Sequence, residues 1–582
     1  MRYPQLKVLP TSRQMVDAFR GYNHNLRISD GEFFNMKNMT SDHYPVLSPR
    51  GKRGFYVKPA SPQGLIAKDA ICYVDGREFV MGEYRVDMGL STAAEDCPKQ
   101  LVSMGAYVII MPDKKYINTM NIAEFGNIEA FFESTTDVSF ALCTVTGDTY
   151  DDTTISPDEP SNPSNLDYWI DTSSTPHSLK QYSATSGMWV SIATTYVKIS
   201  ATGIGKAFHQ YDGVTISGIV DEKLQDLNGT MVIQALGDDY IVVIGILDAV
   251  TTQSATITVE RRMPNLDFVI ESGNRLWGCR YGTAVNGNVV NEIYASKLGD
   301  FRNWSCFMGL STDSYTASCG TDGQFTGAIT HMGYPLFFKE NCVHKVYGNY
   351  PANFQIQDTA CRGVQKGCHN SLAIVNETLF YKSRGGICAF DGSLPTDASY
   401  ALGKEAYSNA VGGAHGNKYY VSMQDTDGAW HLFVYDTSKG MWHREDNLHA
   451  SAFCSSQGEM YCIDADNRNI ITMLGSGTED EGEVKWEVET GELGISSPDM
   501  KYISRITVRM FMEIGSKADF YGQYDLSDEW VHICTMRGTD LRSFSIPIRP
   551  RRCDYMRLRI VGEGMAKIYS ITKTIEQGSD IS

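Results

Sequence analysis

The sequence predicts an all-β protein: a β-propeller of about six blades, interrupted by a small inserted β-barrel or sandwich and followed by a C-terminal β module. Three observations predict it. Short β-branched and aromatic runs, cut by Gly, Asn and Asp turns, fill the 582 residues. Hairpin signals such as Asp75-Gly76 between apolar runs recur along the chain. The stretch LFVYDTSKGMWHRED, Leu432 to Asp446, ends a strand on Tyr435-Asp436 and reaches Trp442 after a polar turn, and such a unit buries its faces only against neighbours of its own kind. Helical periodicity is confined to SRQMVDAF, Ser12 to Phe19, which reads as a turn or two of helix.

In chain order, residues 1–64 read as an N-terminal arm and leading strand, 65–120 as the first blades, 121–265 as the insert, 266–480 as the remaining blades and 481–582 as the C-terminal module. Strand pairs recur at Ala70 to Leu90 and Tyr107 to Met120, then at Arg275 to Trp304, Pro335 to Gly348, Thr378 to Gly392 and Glu459 to Leu474. Gly412-Gly413, the strand at Tyr419 to Met423 and the Tyr-Asp ending with its trailing Trp442 together resemble a kelch-type propeller repeat. Glycine permits close backbone approach, the Asp436 carboxylate accepts from turn amides, and a Trp wedges against the next sheet.

Within the insert, GDTYDDTTISPDEPSNPSN, Gly147 to Asn165, is a polar, proline-bearing stretch that reads as a solvated linker. A hairpin with Trp169 and Trp189 on its arms follows, then strands within Tyr211 to Ile219, Leu227 to Ile233 and Asp239 to Leu247. Its Trp, Tyr and Asp residues suit either a sugar platform or a small core. In the C-terminal module MRLRI alternates, with Met556, Leu558 and Ile560 on one face and Arg557 and Arg559 on the other.

Composition excludes several function classes. The 51 basic and 69 acidic residues give a net charge of -18, against a protein that coats nucleic acid through basic surface. From Lys501 onward 13 basic and 10 acidic residues give +3, so residues 1 to 500 carry 38 against 59, or -21. The 14 cysteines form no C-x-x-C pair, and Cys361, Cys368 and His369 lack zinc spacing. MRYPQLKVLP has no apolar signal core, and YIVVIGIL, from Tyr240, is far short of the ~20 residues of a membrane helix. Gly203 to Ala207, GIGKA, fails as a phosphate loop, because Ser200 stands at the first glycine position and Ala207 at the Ser/Thr position. DTDGAW, Asp425 to Trp430, has the wrong spacing for a sialidase Asp-box and reads as a hairpin turn. The expectation is therefore of no enzyme, cofactor or metal. Arg549, Arg551, Arg552, Arg557 and Arg559 form a basic stripe, a candidate subunit or adaptor contact or else a strand face paired with local acids.

Three segments carry a family resemblance. Phe19 to Gly54 holds Gly31-Glu32-Phe33, Asn35 and Asn38, then Pro45, Leu47 and Arg50; Asn274 to Trp304 holds N-R-x-W, I-Y-x-S and a closing N-W; and Lys501 to Ile571 forms the terminal module. In these the chain resembles the tail nozzle, or head-closure and packaged-DNA-stabilising, propeller proteins of short-tailed bacteriophages. The resemblance implies a structural virion protein assembled in the host cytoplasm as a homomeric ring, a hexamer, below the portal and adaptor. Such a ring retains the packaged genome and conducts it at ejection, touching tail fibre or spike proteins and, transiently, genomic DNA, without membrane insertion. Its acidity would keep DNA off the channel wall over a Debye length of about 8 to 10 Å, or serve solubility alone. The alternatives are a glycan-binding or glycan-cleaving propeller used in host-surface attachment, and a cytosolic kelch-like adaptor.

Overall fold

In the computed structural model, residues 11–150, 152–284, 287–477, 479–495, 500–525 and 527–577 are described. The chain is all-β, and its helical segments among these residues are short 3-10 turns. Its repeating unit is an antiparallel meander of four strands, the blade of a β-propeller. The meanders run at 62–87, 100–127, 268–318, 327–360, 373–397 and 408–444, each joining strands consecutive in sequence. A last sheet takes Ala450–Ser456, Glu459–Asp464 and Asn469–Thr472, and its next strand is Gly54–Val57, from the other end of the chain, with Ile471 opposite Phe55.

The chain divides into two compact units: 1–99, 337–343 and 359–582; and 100–336 with 344–358. In the first, neighbouring meanders share apolar cores. Ile71, Tyr73 and Val80 pack with Ile463 and Ile470, and Tyr420, Leu432 and Val434 pack with Met460, Cys462 and Met473. Packing of this kind supplies the second face that a lone meander lacks.

The opening motif is answered in the same unit. Asp436 ends the strand Trp430–Asp436 and accepts from Ser438 and Lys439 in the turn and from Ser41 Oγ at 2.5 Å, so one carboxylate shapes the turn and holds the N-terminal arm. Trp442 is buried, its Nε1 donating to Ala398 O at 2.7 Å and its ring tilted on Tyr435 at 5.0 Å.

The sheet of this meander does not stop at Met441–Arg444. It runs on through Gly21–Tyr22, Glu32–Lys37, Lys485–Thr490, Met556–Glu563, Lys501–Tyr524 and Ala566–Gln577 to Thr11–Val16. Two expectations are corrected here. The predicted helical turn at Ser12 to Phe19 is largely the strand Thr11–Val16, because the edge of Ala566–Gln577 satisfies its backbone groups residue by residue, from Thr11 opposite Glu576 to Val16 opposite Ile571. The N-terminal arm is also less a separate arm than part of the C-terminal sheet.

In the second unit Val102, Ile109 and Ile128 share a core with Val269, Leu276 and Trp304. The insert is a two-sheet sandwich around Phe140, Ile199, Val214, Ile241, Val243 and Val259. Buried Asp212 pins it to the 268–318 meander: it pairs with Arg261 and accepts from Asn303 Nδ2 at 3.0 Å, while Asn303 Oδ1 accepts from Gly213 N. A third sheet carries the tryptophans. Trp169 and Trp189 lie on the first and third strands of an antiparallel series, Tyr168–Asp171, Ser178–Ser183 and Met188–Ser191, so the expected hairpin is a three-strand meander. The expected linker also contributes a strand, Thr153–Ser156, parallel to Tyr168–Asp171, while its Asp151 lies outside the described residues.

Candidate functional site

The residues that carried the family resemblance near the N-terminus converge on one junction. Asn38 takes positive φ (56°), its Oδ1 accepts from Arg50 Nε at 2.9 Å and its Nδ2 donates to Lys485 O at 2.8 Å. Leu47 bridges to Ile568, and Phe33 is buried against Phe19. Arg50 forks onto Glu481 with bonds of 2.7 and 2.9 Å and lies 3.4 Å from Asp446. Arg53, three residues on, donates to Glu445 and Asp446, each at 2.7 Å. Two guanidiniums of the N-terminal segment are thus locked among three carboxylates at the exit of the 408–444 meander. Arginine suits the task because its planar fork stays charged and engages carboxylates bidentately.

The predicted basic stripe divides in two. Arg557 lies 3.7 Å from Glu489 and 3.3 Å from Glu492, with Phe34 beneath its guanidinium, and Arg559 lies 2.8 Å from Glu487. The adjacent strand Lys485–Thr490 presents Glu487 and Glu489, Glu492 follows it, and burial raises the Glu489 carboxyl above its ordinary range even beside these cations. Arg549, Arg551 and Arg552 are exposed just beyond, with Arg551 over the Tyr524 ring. The sequence missed the glutamate strand because nothing local signals that 485–490 and 556–563 are neighbours.

Two other places have functional character. A cleft of about 530 Å³ lies beside the Arg53 network and is lined by Asp446, His449, Asp464, Asp466 and Asn467. Trp430 stacks on His449 at 3.9 Å, and His449 Nδ1 meets Asp466 at 2.8 Å. In the insert, Trp169 is only 5% exposed, edge-on to Trp189 at 5.5 Å, with Lys180 Nζ 4.5 Å over its ring. These tryptophans therefore form a small core rather than an open platform. GIGKA is a short 3-10 turn, DTDGAW a hairpin turn organised by Asp425, and all 14 cysteines are free.

No protein-family model matches the chain, and no curated protein does. Among solved structures it is similar to an exo-beta-1,3-galactanase from Phanerochaete chrysosporium with galactose, at 9% identity over 52% of this chain and 94% of that one, TM-score 0.20. It is similar to a Pyrococcus horikoshii acylaminoacyl peptidase at 8% identity over 54% and 55%, TM-score 0.24. It is similar to a Trypanosoma rangeli sialidase in complex with sialic acid at 8% identity over 97% and 96%, TM-score 0.20. The expectation that the chain is not an enzyme is corrected: the solved structures it is similar to are enzymes by name. Likenesses at these scores carry no argument for a particular activity.

Proposed function

We propose that the chain is a structural virion protein of a short-tailed phage, forming a homomeric ring of the tail nozzle below portal and adaptor that retains packaged DNA and conducts it at ejection. The observation that carries this reading is the junction. Of the residues quoted for the family resemblance, Asn38 and Leu47 bond to Lys485 and Ile568 of the C-terminal module, and Arg50 reaches Glu481 there and Glu445 and Asp446 just past the 408–444 meander. A continuous sheet secured by buried ion pairs suits a part that transmits load without changing shape. Purified protein, alone and mixed with portal and adaptor, tests the reading by mass measurement and negative-stain imaging. Closed rings that stack on the adaptor are expected; a monomer that ignores portal and adaptor refutes it.

A second reading, a glycan-binding or glycan-cleaving propeller used in host-surface attachment, has its own observation in the polar cleft at Asp446, His449, Asp464 and Asp466, with the Trp430–His449 stack at 3.9 Å. Aromatics beside carboxylates are the usual furniture of sugar sites. Binding or release of sugar from host polysaccharide, lost in Asp466→Asn, would favour it.

A further inference from the structure

We infer that the outer face of the terminal sheet, formed by Thr11–Val16, Ala566–Gln577, Lys501–Tyr524 and Val531–Ile546, is a sequence-independent contact for the phosphate backbone of duplex DNA, through Arg13, Arg505, Arg509 and Lys567. This deepens the virion reading and rests on it for the source of the DNA. The register places these side chains together. Arg13 and Arg505 both stand opposite Thr574, one on each side. Arg509 stands opposite Ser570 and Ser543, and Lys567 opposite Phe511. With strands ~4.8 Å apart and ~3.4 Å per residue, Arg13 and Arg505 are about 10 Å apart and Arg505 and Arg509 about 14 Å.

The other face of the same strand holds Ile503, Ile506, Val508 and Met510, all fully buried, so the arginines are turned to solvent by the period of the strand. Arg13, Arg505 and Arg509 are exposed and Lys567 half-buried. Among the described residues none of the four has a carboxylate within 4 Å, unlike Arg557, Arg559 and Lys573 of the same module, which are each paired. Carboxylates flank the four without reaching them: Asp17 follows Thr11–Val16, Glu576 stands opposite Thr11, Glu513 stands two residues beyond Phe511, and Asp540 lies on Val531–Ile546. Arg505 Nε donates to Ser545 Oγ, at 2.9 Å.

Four unneutralised cations on a chain of net charge -18 mark a local surface for a polyanion. An acidic protein is the weaker fit. Protein interfaces draw their affinity from buried aromatic and apolar anchors, and this face offers apolar groups only singly: Met15 at one edge, half-buried Tyr502 and Phe511, and Leu541 on Val531–Ile546. Between the cations stand hydroxyls instead, Thr507, Ser543, Ser570 and Thr574, and Arg, Lys, Ser and Thr are the side chains that contact phosphate oxygens. No Asn or Gln shares the face to read base edges, so binding is independent of sequence.

The test is anisotropy of a labelled duplex of about 30 base pairs titrated with full-length protein between 50 and 200 mM salt. Four phosphate contacts give a log-log slope near -3.6, an affinity loss of about 150-fold across that range. The variant R13Q/R505Q/R509Q/K567Q should lose most of the slope, R509Q alone about 0.9 of it, and R13K/R505K/R509K should keep it. The proposal is overturned if the protein does not bind at 50 mM salt or if the quadruple variant keeps the wild-type slope. It is overturned too if that variant changes only the mass of the assembly, which would assign the face to an acidic neighbouring subunit. A monomer that binds DNA through these residues would sink the ring reading and leave this one standing.

Discussion

Replacing Arg53 with methionine removes one of the two buried guanidiniums of the ion network and keeps most of the side-chain volume. The Arg53 side chain is 8% exposed and donates to Glu445, 9% exposed, and Asp446, 20% exposed. Removing one partner of a buried pair costs about 3 to 5 kcal/mol, because the remaining charge stays in a poorly solvating site. Here the lower figure applies, since Arg50 remains 3.6 Å from Glu445 and 3.4 Å from Asp446. The loss should be local: Arg53 immediately precedes Gly54–Val57, the strand that pairs with Asn469–Thr472. Hydrogen exchange at Phe55, Val57 and Ile471 should therefore speed up on the order of 100-fold, with ~1.4 kcal/mol per tenfold and ~3 kcal/mol lost. Glu481→Gln touches Arg50 through a carboxylate that is 37% exposed and should change exchange less than tenfold. If Arg53→Met leaves those amides within about fivefold of wild type, the network is not what fastens this strand.

Three further outcomes are expected. Burial pushes the Asp436 carboxyl up, but Lys439, Ser41 and Ser438 outweigh it and hold it down to about 2, so its contribution is complete above pH ~4 and fades as pH falls toward 2; Asp436→Asn should cost about 2 kcal/mol at neutral pH, by urea denaturation, and flatten that acid limb. Burial lowers the His443 imidazole to about 3; the unfolded chain takes up that proton below pH ~6.5, so stability falls from there toward pH 3, and His443→Gln should remove that part of the pH dependence in thermal melts. Charge reversal at Arg549, Arg551 and Arg552 should lower assembly mass by light scattering with the melting point unchanged, whereas reversal at Arg557 and Arg559 should lower the melting point, because those two face Glu487, Glu489 and Glu492; equal effects of the two sets would remove the exposed trio as a contact.

What the sequence determined by itself is what short-range geometry encodes. Met556, Leu558 and Ile560 alternate with Arg557 and Arg559, and the structure buries the first three. Asp75-Gly76 turns a hairpin, and Asp436 with Trp442 marks the end of one strand and the packing of the next. Tertiary structure decided which edges meet. Ser12 to Phe19 has a weak helical period, yet Thr11–Val16 is a strand because Ala566–Gln577, more than 500 residues away, offers it a complete row of partners. Gly54–Val57 pairs with Asn469–Thr472 by the same logic. The basic residues divide likewise: Arg557 and Arg559 are neutralised by a glutamate strand, while Arg13, Arg505, Arg509 and Lys567 come from three distant segments and share a face only through register. A strand's side-chain period is local and can be read one residue after another. Its backbone hydrogen bonds are the same for every residue type, so the choice of partner rests on burial across the whole sheet, and no short stretch of sequence contains it.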